Sequence, residues 1–251
     1  MLTTQRKQVL LASLRENGQI VAKDMSLAMG VSEDTIRRDL RELAREGLLQ
    51  RVHGGALPAS PAVADFAGRE QLRHEGKVAI GAAAAAMIEP GQVVILDGGT
   101  TAREVARHLP RDLKATIVTH SPTIALELLN HASIDVILIG GRFFKHSVVA
   151  VGAAAIEAIS QIHADLFFLG VTGIHPTTGL TTGDYEEAAI KRALSHAAAE
   201  TIVLASAEKL NAASPYAVIG LDQVNGIITE RSVDEELLKP YMERGMVITR
   251  A

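Results

Sequence analysis

Five short apolar runs, QVVIL, ATIVT, DVILIG, DLFFLG and TIVLAS, recur between residues 92 and 206, and none alternates strictly between polar and apolar side chains. A strand with one face in water needs that alternation, whereas a strand covered on both faces does not. The stretches between the runs, near 101–109, 122–131, 152–161 and 184–199, carry helical spacing and much alanine. Apolar strands separated by helices imply a mostly parallel sheet with helices on both faces, so this part of the chain is expected to be α/β. A length of 251 residues leaves room for that core and a small second domain. No internal repeat stands out.

Charge divides the chain in two. The formal net charge is −4, yet residues 1–58 hold nine Lys/Arg against seven Asp/Glu, while the remainder holds sixteen against twenty-two. A slightly basic head on an acidic body suggests separate tasks. The absence of cysteine excludes disulfides and thiolate metal sites and is compatible with a reducing compartment. The N-terminal MLTTQRKQVLLASLRENGQ carries charges within its apolar pattern and does not read as a signal peptide. AIGAAAAAMIEPGQVVIL is interrupted at Glu89, Pro90 and Gly91 and reads as a helix then a strand, not a membrane span.

The head reads as three helices: about Thr4 to Glu16, with Val9, Leu10 and Leu14 on one side; about Val21 to Met29; and Ser32 to Glu46, with Gly30 and Gly47 as the stops. Ser32 is an N-cap residue, and Glu33 and Asp34 suit the positive end of the helix dipole. In the third helix Ile36, Leu40 and Leu43 form an apolar stripe, Arg38, Arg41 and Arg45 lie opposite, and Thr35 and Arg37 flank it. LLQRV followed by HGG reads as a strand and tight turn, a small wing carrying Arg51 and His53. A short helix, a glycine turn and an arginine-bearing helix make a helix-turn-helix that enters the major groove. The plainer alternative is a solubilised bundle, its arginines paired with Asp39, Glu42 and Glu46.

In the body, open parallel sheets bind ligands beyond the carboxyl ends of their strands. VVILDGGTTAREVARHL places Gly98 and Gly99 where backbone can approach a ligand, and Thr100 and Thr101 beside the free amides of a helix start, a seat for phosphate. Asp97 is positioned to accept sugar hydroxyls. Thr119, His120 and Ser121 follow the next strand, and Arg142 and Lys145 the one after. Glu187 and Lys191 stand four apart on a helix and read either as site residues or as a surface ion pair. No metal-binding histidine spacing, dinucleotide fingerprint or P-loop is present, so no metal or cofactor is expected.

The run VSEDTIRRDLRELAREGLLQRVHGGA resembles the N-terminal signature of the DeoR family of bacterial transcriptional regulators. Ser32, Thr35, Ile36, Arg37, Arg38, Asp39, Leu40, Gly47, Arg51, His53, Gly54 and Gly55 match it. The resemblance implies a winged helix-turn-helix that binds operator DNA, with Ser32, Thr35, Arg37 and Arg38 foremost among the contacts and Arg41, Arg51 and His53 beside them. DGGTTAREVARHL, IVTHS, GGRF, DLFFLG and EEAAIKRA resemble successive blocks of the family's effector-sensing domain, which is similar to ribose-5-phosphate isomerase. It implies that Asp97, Gly99, Thr100, Thr101, Arg142, Lys191 and Lys209 meet a phosphorylated sugar or related metabolite, with Gly98, His120 and Ser121 as further lining. The family commonly has Asn where this chain has His120, and often Asp where it has Ala205.

The expectation is therefore a cytoplasmic repressor of a carbohydrate-utilisation operon, acting as a homo-oligomer, dimer or tetramer, on double-stranded operator DNA, with no membrane partner. Its units are residues 1–58 (DNA-binding), 59–74 (linker) and 75–251 (effector-binding and oligomerisation). The alternatives are an isomerase-like enzyme and a DNA-binding protein without an effector.

Overall fold

A computed structural model describes residues 2–60 and 65–251. The head comprises α1 (Thr3–Asn17), β1 (Ile20–Val21), α2 (Ala22–Met29), α3 (Glu33–Arg45), β2 (Gln50–Val52) and β3 (Gly55–Leu57). Ser32 caps α3 as expected, its Oγ accepting the Thr35 amide at 3.2 Å. Leu10, Leu14, Ile36, Leu40, Leu43 and Leu49 form the core. Val9, expected on the buried side of α1, is 43% exposed.

The wing is a three-stranded antiparallel sheet in the order β1-β3-β2, of which sequence reading found only the hairpin. Gly55 is demanded by close approach: a Cβ there would lie 1.7 Å from the Ile20 carbonyl oxygen. Asp39 does not pair with the arginines of its own helix. It is fully buried and takes Arg6 Nη2 at 3.0 Å and Arg6 Nε, which fastens α1 to α3.

Residues 61–64, within the segment expected as a linker, lie outside the described residues. The rest of that segment contains α4 (Phe66–Gln71), and the Phe66 amide donates to the His146 carbonyl. The body continues with α5 (His74–Ala85), β4 (Val93–Leu96), α6 (Thr100–His108), β5 (Ala115–Thr119), α7 (Pro122–Glu127), β6 (Ile134–Leu138), β7 (Arg142–Phe144), β8 (Val149–Val151), α8 (Ala153–Ile159) and β9 (Ala164–Gly170). It ends with β10 (Gly173–His175), β11 (Gly179–Thr182), α9 (Tyr185–His196), β12 (Ala198–Leu204), β13 (Tyr216–Ala217), β14 (Gly226–Thr229), α10 (Glu235–Met242) and β15 (Val247–Arg250).

The main sheet has the order β15-β14-β12-β9-β4-β5-β6 and is parallel throughout. Both faces are buried along the interior strands, as their apolar runs required, while the edge strands β6 and β15 are largely exposed. On β9, Phe167 and Leu169 enter one core while Leu166 and Phe168 enter the other, which is the period of two expected of a strand. Helices α5, α6 and α7 cover one face through Ile80, Val105 and Ile124; α8, α9 and α10 cover the other through Ile159, Leu194 and Leu238.

Helix α7 is shorter than expected, and β12 begins at Ala198 because pairing with β9 draws the alanine-rich end of the expected helix into the sheet. Strands β14 and β15 and the small ladders β7-β8 and β10-β11-β13 were not foreseen. Strand order reverses beside β4, which has β5 on one side and β9 on the other. Its carboxyl end is therefore a topological switch point, where parallel sheets open a crevice.

Asp39→Ala strands the buried Arg6 guanidinium and is expected to cost the head on the order of 3 kcal/mol. Circular dichroism and limited proteolysis should detect a separate early transition of the head. Arg38→Ala, on the exposed side of α3, should shift that transition by no more than about 0.5 kcal/mol.

Candidate functional site

Two regions concentrate chemistry. On the head, α3 and the wing leave Ser32, Arg37, Arg38, Arg41, Arg51 and His53 exposed, with Thr35 half-buried. The Ser32 and Thr35 hydroxyls lie 2.9 Å apart and engage each other. Arg37 donates to Glu33 at 2.7 Å. Among the described residues, the Arg38, Arg41 and Arg51 guanidinium groups have no ion pair or hydrogen bond. They are open to an anionic partner, and the apolar stripe beneath fixes the helix that carries them.

On the body, a narrow cleft forms at the carboxyl end of β4, with about 30 Å³ of free space. The chain turns there into α6 through Gly98 and Gly99. Gly99 caps the helix at φ 112°, a conformation that side chains rarely adopt, and no side chain occupies the cap. The first amides of α6 consequently face the cleft without an intrahelical acceptor. Thr100 and Thr101 begin the helix, and Thr101 Oγ1, like Thr182 Oγ1 across the cleft, is buried without a hydrogen-bond partner.

Asp97 sits beneath the turn and is fully buried. One carboxylate oxygen accepts the Gly98 amide at 2.8 Å and His120 Nε2 at 3.0 Å; the other accepts the Gly170 amide at 2.8 Å and Lys191 Nζ. Burial pushes its pKa up, but the Lys191 ammonium and the His120 bond outweigh that and hold it at about 2. All four acceptor positions are filled from within the protein, and Asp97 is not among the residues that line the cleft. Its work is to tie the ends of β4, β5 and β9 to α9.

His120 is fully buried as well, its Nδ1 2.8 Å from the Ala150 carbonyl, and Ser121 bonds Thr123 and the Val148 carbonyl. Both lie behind the cleft and do not line it. Arg142 is 58% exposed, pairs with Glu186 and is not part of the cleft wall. Ala205 is buried and likewise absent from the wall. Gly98, Gly99, Thr100, Thr101, Lys191 and Lys209 do line it. Glu187 and Lys191 are not a surface pair; both are buried, with 3.7 Å between Oε1 and Nζ.

Sequence reading missed Arg69, Lys77, Thr172, Thr182 and Glu208, which complete the cleft. Lys77 had one available signal, a lysine at the start of the otherwise apolar run of α5. Arg69 lay in the stretch read as linker. Burial lowers the pKa of Arg69 and Lys77. It brings Lys209 to about 8, with Glu208 opposing that shift and Lys77 and Arg69 adding to it. Desolvation is thus the main penalty on all three cations, and nearby carboxylates, Glu208 for Lys77 and Lys209 and Glu187 for Arg69, offset part of it.

This arrangement predicts a pH response of the ligand-free protein. Between about pH 8 and the ordinary lysine value of 10.5, the unfolded chain holds a proton that folded Lys209 has released. The Lys209 contribution to stability therefore rises with pH across that window. Thermal denaturation at stepped pH should show the rise, and Lys209→Met should flatten it. At the acid end, the Asp97 contribution is present above 3.8 and is lost as pH falls toward 2.

The head matches the DeoR-like helix-turn-helix domain over residues 6–61, and the body matches the DeoR C terminal sensor domain over residues 72–231. The chain is 33% identical over 250 residues to the HTH-type transcriptional regulator GlpR of Haloferax volcanii, covering 99% of this chain and 98% of that one. It is 32% identical over 233 residues to the HTH-type transcriptional repressor GlcR of Bacillus subtilis (strain 168), covering 92% and 90%. It is 33% identical over 195 residues to the glycerol-3-phosphate regulon repressor of Escherichia coli (strain K12), covering 77% of each. Among solved structures, the sorbitol operon regulator SorC from Klebsiella pneumoniae aligns at 16% identity and a TM-score of 0.45, over 92% of this chain and 97% of that one. Ribose 5-phosphate isomerase A from Methanocaldococcus jannaschii aligns at 18% identity and a TM-score of 0.41, over 54% of each. Matched along nearly its whole length by two consecutive domains and by relatives named as regulators, the chain belongs to the DeoR family of helix-turn-helix transcriptional regulators.

Proposed function

We propose that this regulator represses a carbohydrate-utilisation operon in the cytoplasm and is controlled by a phosphorylated sugar or related metabolite bound in the β4–α6 cleft. The observation that carries the reading is the group of buried cations, Arg69, Lys77 and Lys209, facing the unpartnered Thr101 hydroxyl at a helix N-terminus. Such a seat suits a phosphate, whose charge meets the amides, the dipole and the cations together. A relative named as a glycerol-3-phosphate regulon repressor supports it. In this reading Gly98, Gly99, Thr100, Thr101 and Lys209 hold the phosphate with Arg69 and Lys77, while Asp97, Lys191, His120 and Ser121 shape the seat.

On the DNA side, Arg38, Arg41 and Arg51 reach base edges or phosphates, with Ser32, Thr35, Arg37 and His53 alongside. A single small head favours a homo-oligomer acting on paired half-sites. The edge strand β6 with exposed Ile137 and Leu138, and Leu126, Leu129 and Phe143 nearby in the chain, supports self-association.

The segment after the wing offers a route between the two sites. Pro58 O accepts the Ala213 amide at 3.2 Å, and Ser60 N donates to Ala213 O at 3.4 Å. Ser60 Oγ donates to the carbonyl of Thr172, a residue of the cleft wall whose hydroxyl bonds Ser214 at 2.7 Å. A ligand that favours one position of this wall over another changes how the heads meet an operator, and only such differential binding shifts the equilibrium.

The test is fluorescence anisotropy with DNA from upstream of the gene and its neighbouring operon, with and without a panel of sugar phosphates. One compound should change DNA affinity saturably, by about 5- to 150-fold. Arg38→Ala should weaken DNA binding by roughly tenfold or more. Thr101→Val should retain DNA affinity and lose the ligand response. Ser60→Ala should retain both binding events with a smaller coupling between them. Sequence-specific DNA binding indifferent to every sugar phosphate would overturn the effector assignment.

A further inference from the structure

The phosphate cleft is too small for a whole sugar phosphate. Its free space of about 30 Å³ holds little beyond one small polar group, so the carbon chain of an ester seated there must lie elsewhere. A second chamber of about 380 Å³ adjoins it and shares Arg69, Thr172 and Glu187 as walls. That size falls within the range of small-molecule pockets.

The two compartments differ in chemistry. The inner one presents cations and amide hydrogens. The outer one presents the Phe144 ring and Pro215 on its apolar side, with Ser147, Asp184 and Glu187 as polar groups. Phe144 is half-buried against the core and so forms a fixed wall. Asp184 caps α9, one of its oxygens accepting the Glu187 amide at 2.9 Å, which fixes where the Glu187 side chain starts. Glu187 is 7% exposed; Oε2 accepts the Ser147 hydroxyl at 3.2 Å and Oε1 stands 3.7 Å from Lys191 Nζ. A carboxylate oxygen accepts more than one hydrogen bond, so this group has acceptor capacity left at the passage between the compartments.

Resting on the effector reading above, we propose that Glu187 is the specificity-determining residue of a two-compartment site, accepting hydroxyl groups of a polyhydroxylated carbon chain whose phosphate occupies the inner cleft. The C–H side of that chain lies against Phe144 and its hydroxyls meet Glu187 and Ser147. An unsubstituted alkyl phosphate leaves the buried carboxylate without those donors. A site built around a buried polar group rejects a ligand that lacks the matching partner much more strongly than it rejects a change of size.

Isothermal titration calorimetry on the full-length protein tests this with inorganic phosphate, hexyl phosphate and a hexitol 6-phosphate. The wild type should bind the hexitol ester at least tenfold more tightly than the hexyl ester. Glu187→Gln should narrow that preference about tenfold or more, and because it removes a negative charge from a wall shared with the anion seat, the hexyl ester serves as the reference for any change common to all phosphates. Phe144→Ala, which leaves every charge in place, should weaken the hexitol ester and not inorganic phosphate. Retained DNA binding and an unchanged melting profile identify folded variants. Equal wild-type affinity for the two esters, or a Glu187→Gln change that falls equally on the hexyl and hexitol esters, would overturn the inference while leaving the anion seat intact. No binding of inorganic phosphate or either ester would overturn the anion seat itself and the inference with it.

Discussion

A carboxylate buried without exposure can remain charged only if every acceptor position is filled, and the body of this regulator is assembled around one that is. Asp97 receives donors from its own turn, from His120 at the end of β5, from Gly170 at the end of β9 and from Lys191 on α9. Removing any of these donors would leave a desolvated charge uncompensated. The requirement draws the carboxyl ends of three strands together at the switch point of the sheet. The cleft is the space that this convergence leaves, and the start of α6 is aimed into it.

The same bonding separates the residues that build the site from those available to a ligand. Asp97, held at about 2 with its oxygens occupied, is poorly suited to taking a proton from a sugar carbon. Arg69, Lys77 and Lys209 are in the opposite condition, since burial disfavours their charges. The relatives that match the chain over most of its length are named as transcriptional regulators, in agreement with the balance of charge in the cleft.

Regulation needs a ligand to favour one arrangement of the protein over another, and the chain joins its two surfaces economically. The wing strand β3 ends at Leu57, and hydrogen bonds to the body begin at Pro58 and continue at Ser60. The body residues that receive them neighbour or belong to the cleft wall. Thr172 of the cleft wall is thus separated from the wing by a few residues of backbone.

The sequence alone determined those features that depend on near neighbours. Helix α3 was legible because Ser32 caps it and Ile36, Leu40 and Leu43 repeat at helical spacing; the wing, because its two glycines follow a short apolar run; and the phosphate turn, because a strand, two glycines and two threonines occur in succession. Local spacing also gave the main-sheet strands β4, β5, β6, β9 and β12 and the helices between them. Tertiary structure decided whatever depends on partners far apart in the chain. Asp39 meets Arg6 across 33 residues, and Asp97 meets Gly170 and Lys191 across 73 and 94, so both carboxylates looked available until burial consumed them. Arg142 had the right type and place in sequence, but the β7–β8 ladder carries it away from the cleft to Glu186, while α4 and α5 bring in Arg69 and Lys77. Residue type records what a side chain can do; burial and the distance to its partners decide whether that capacity is already spent.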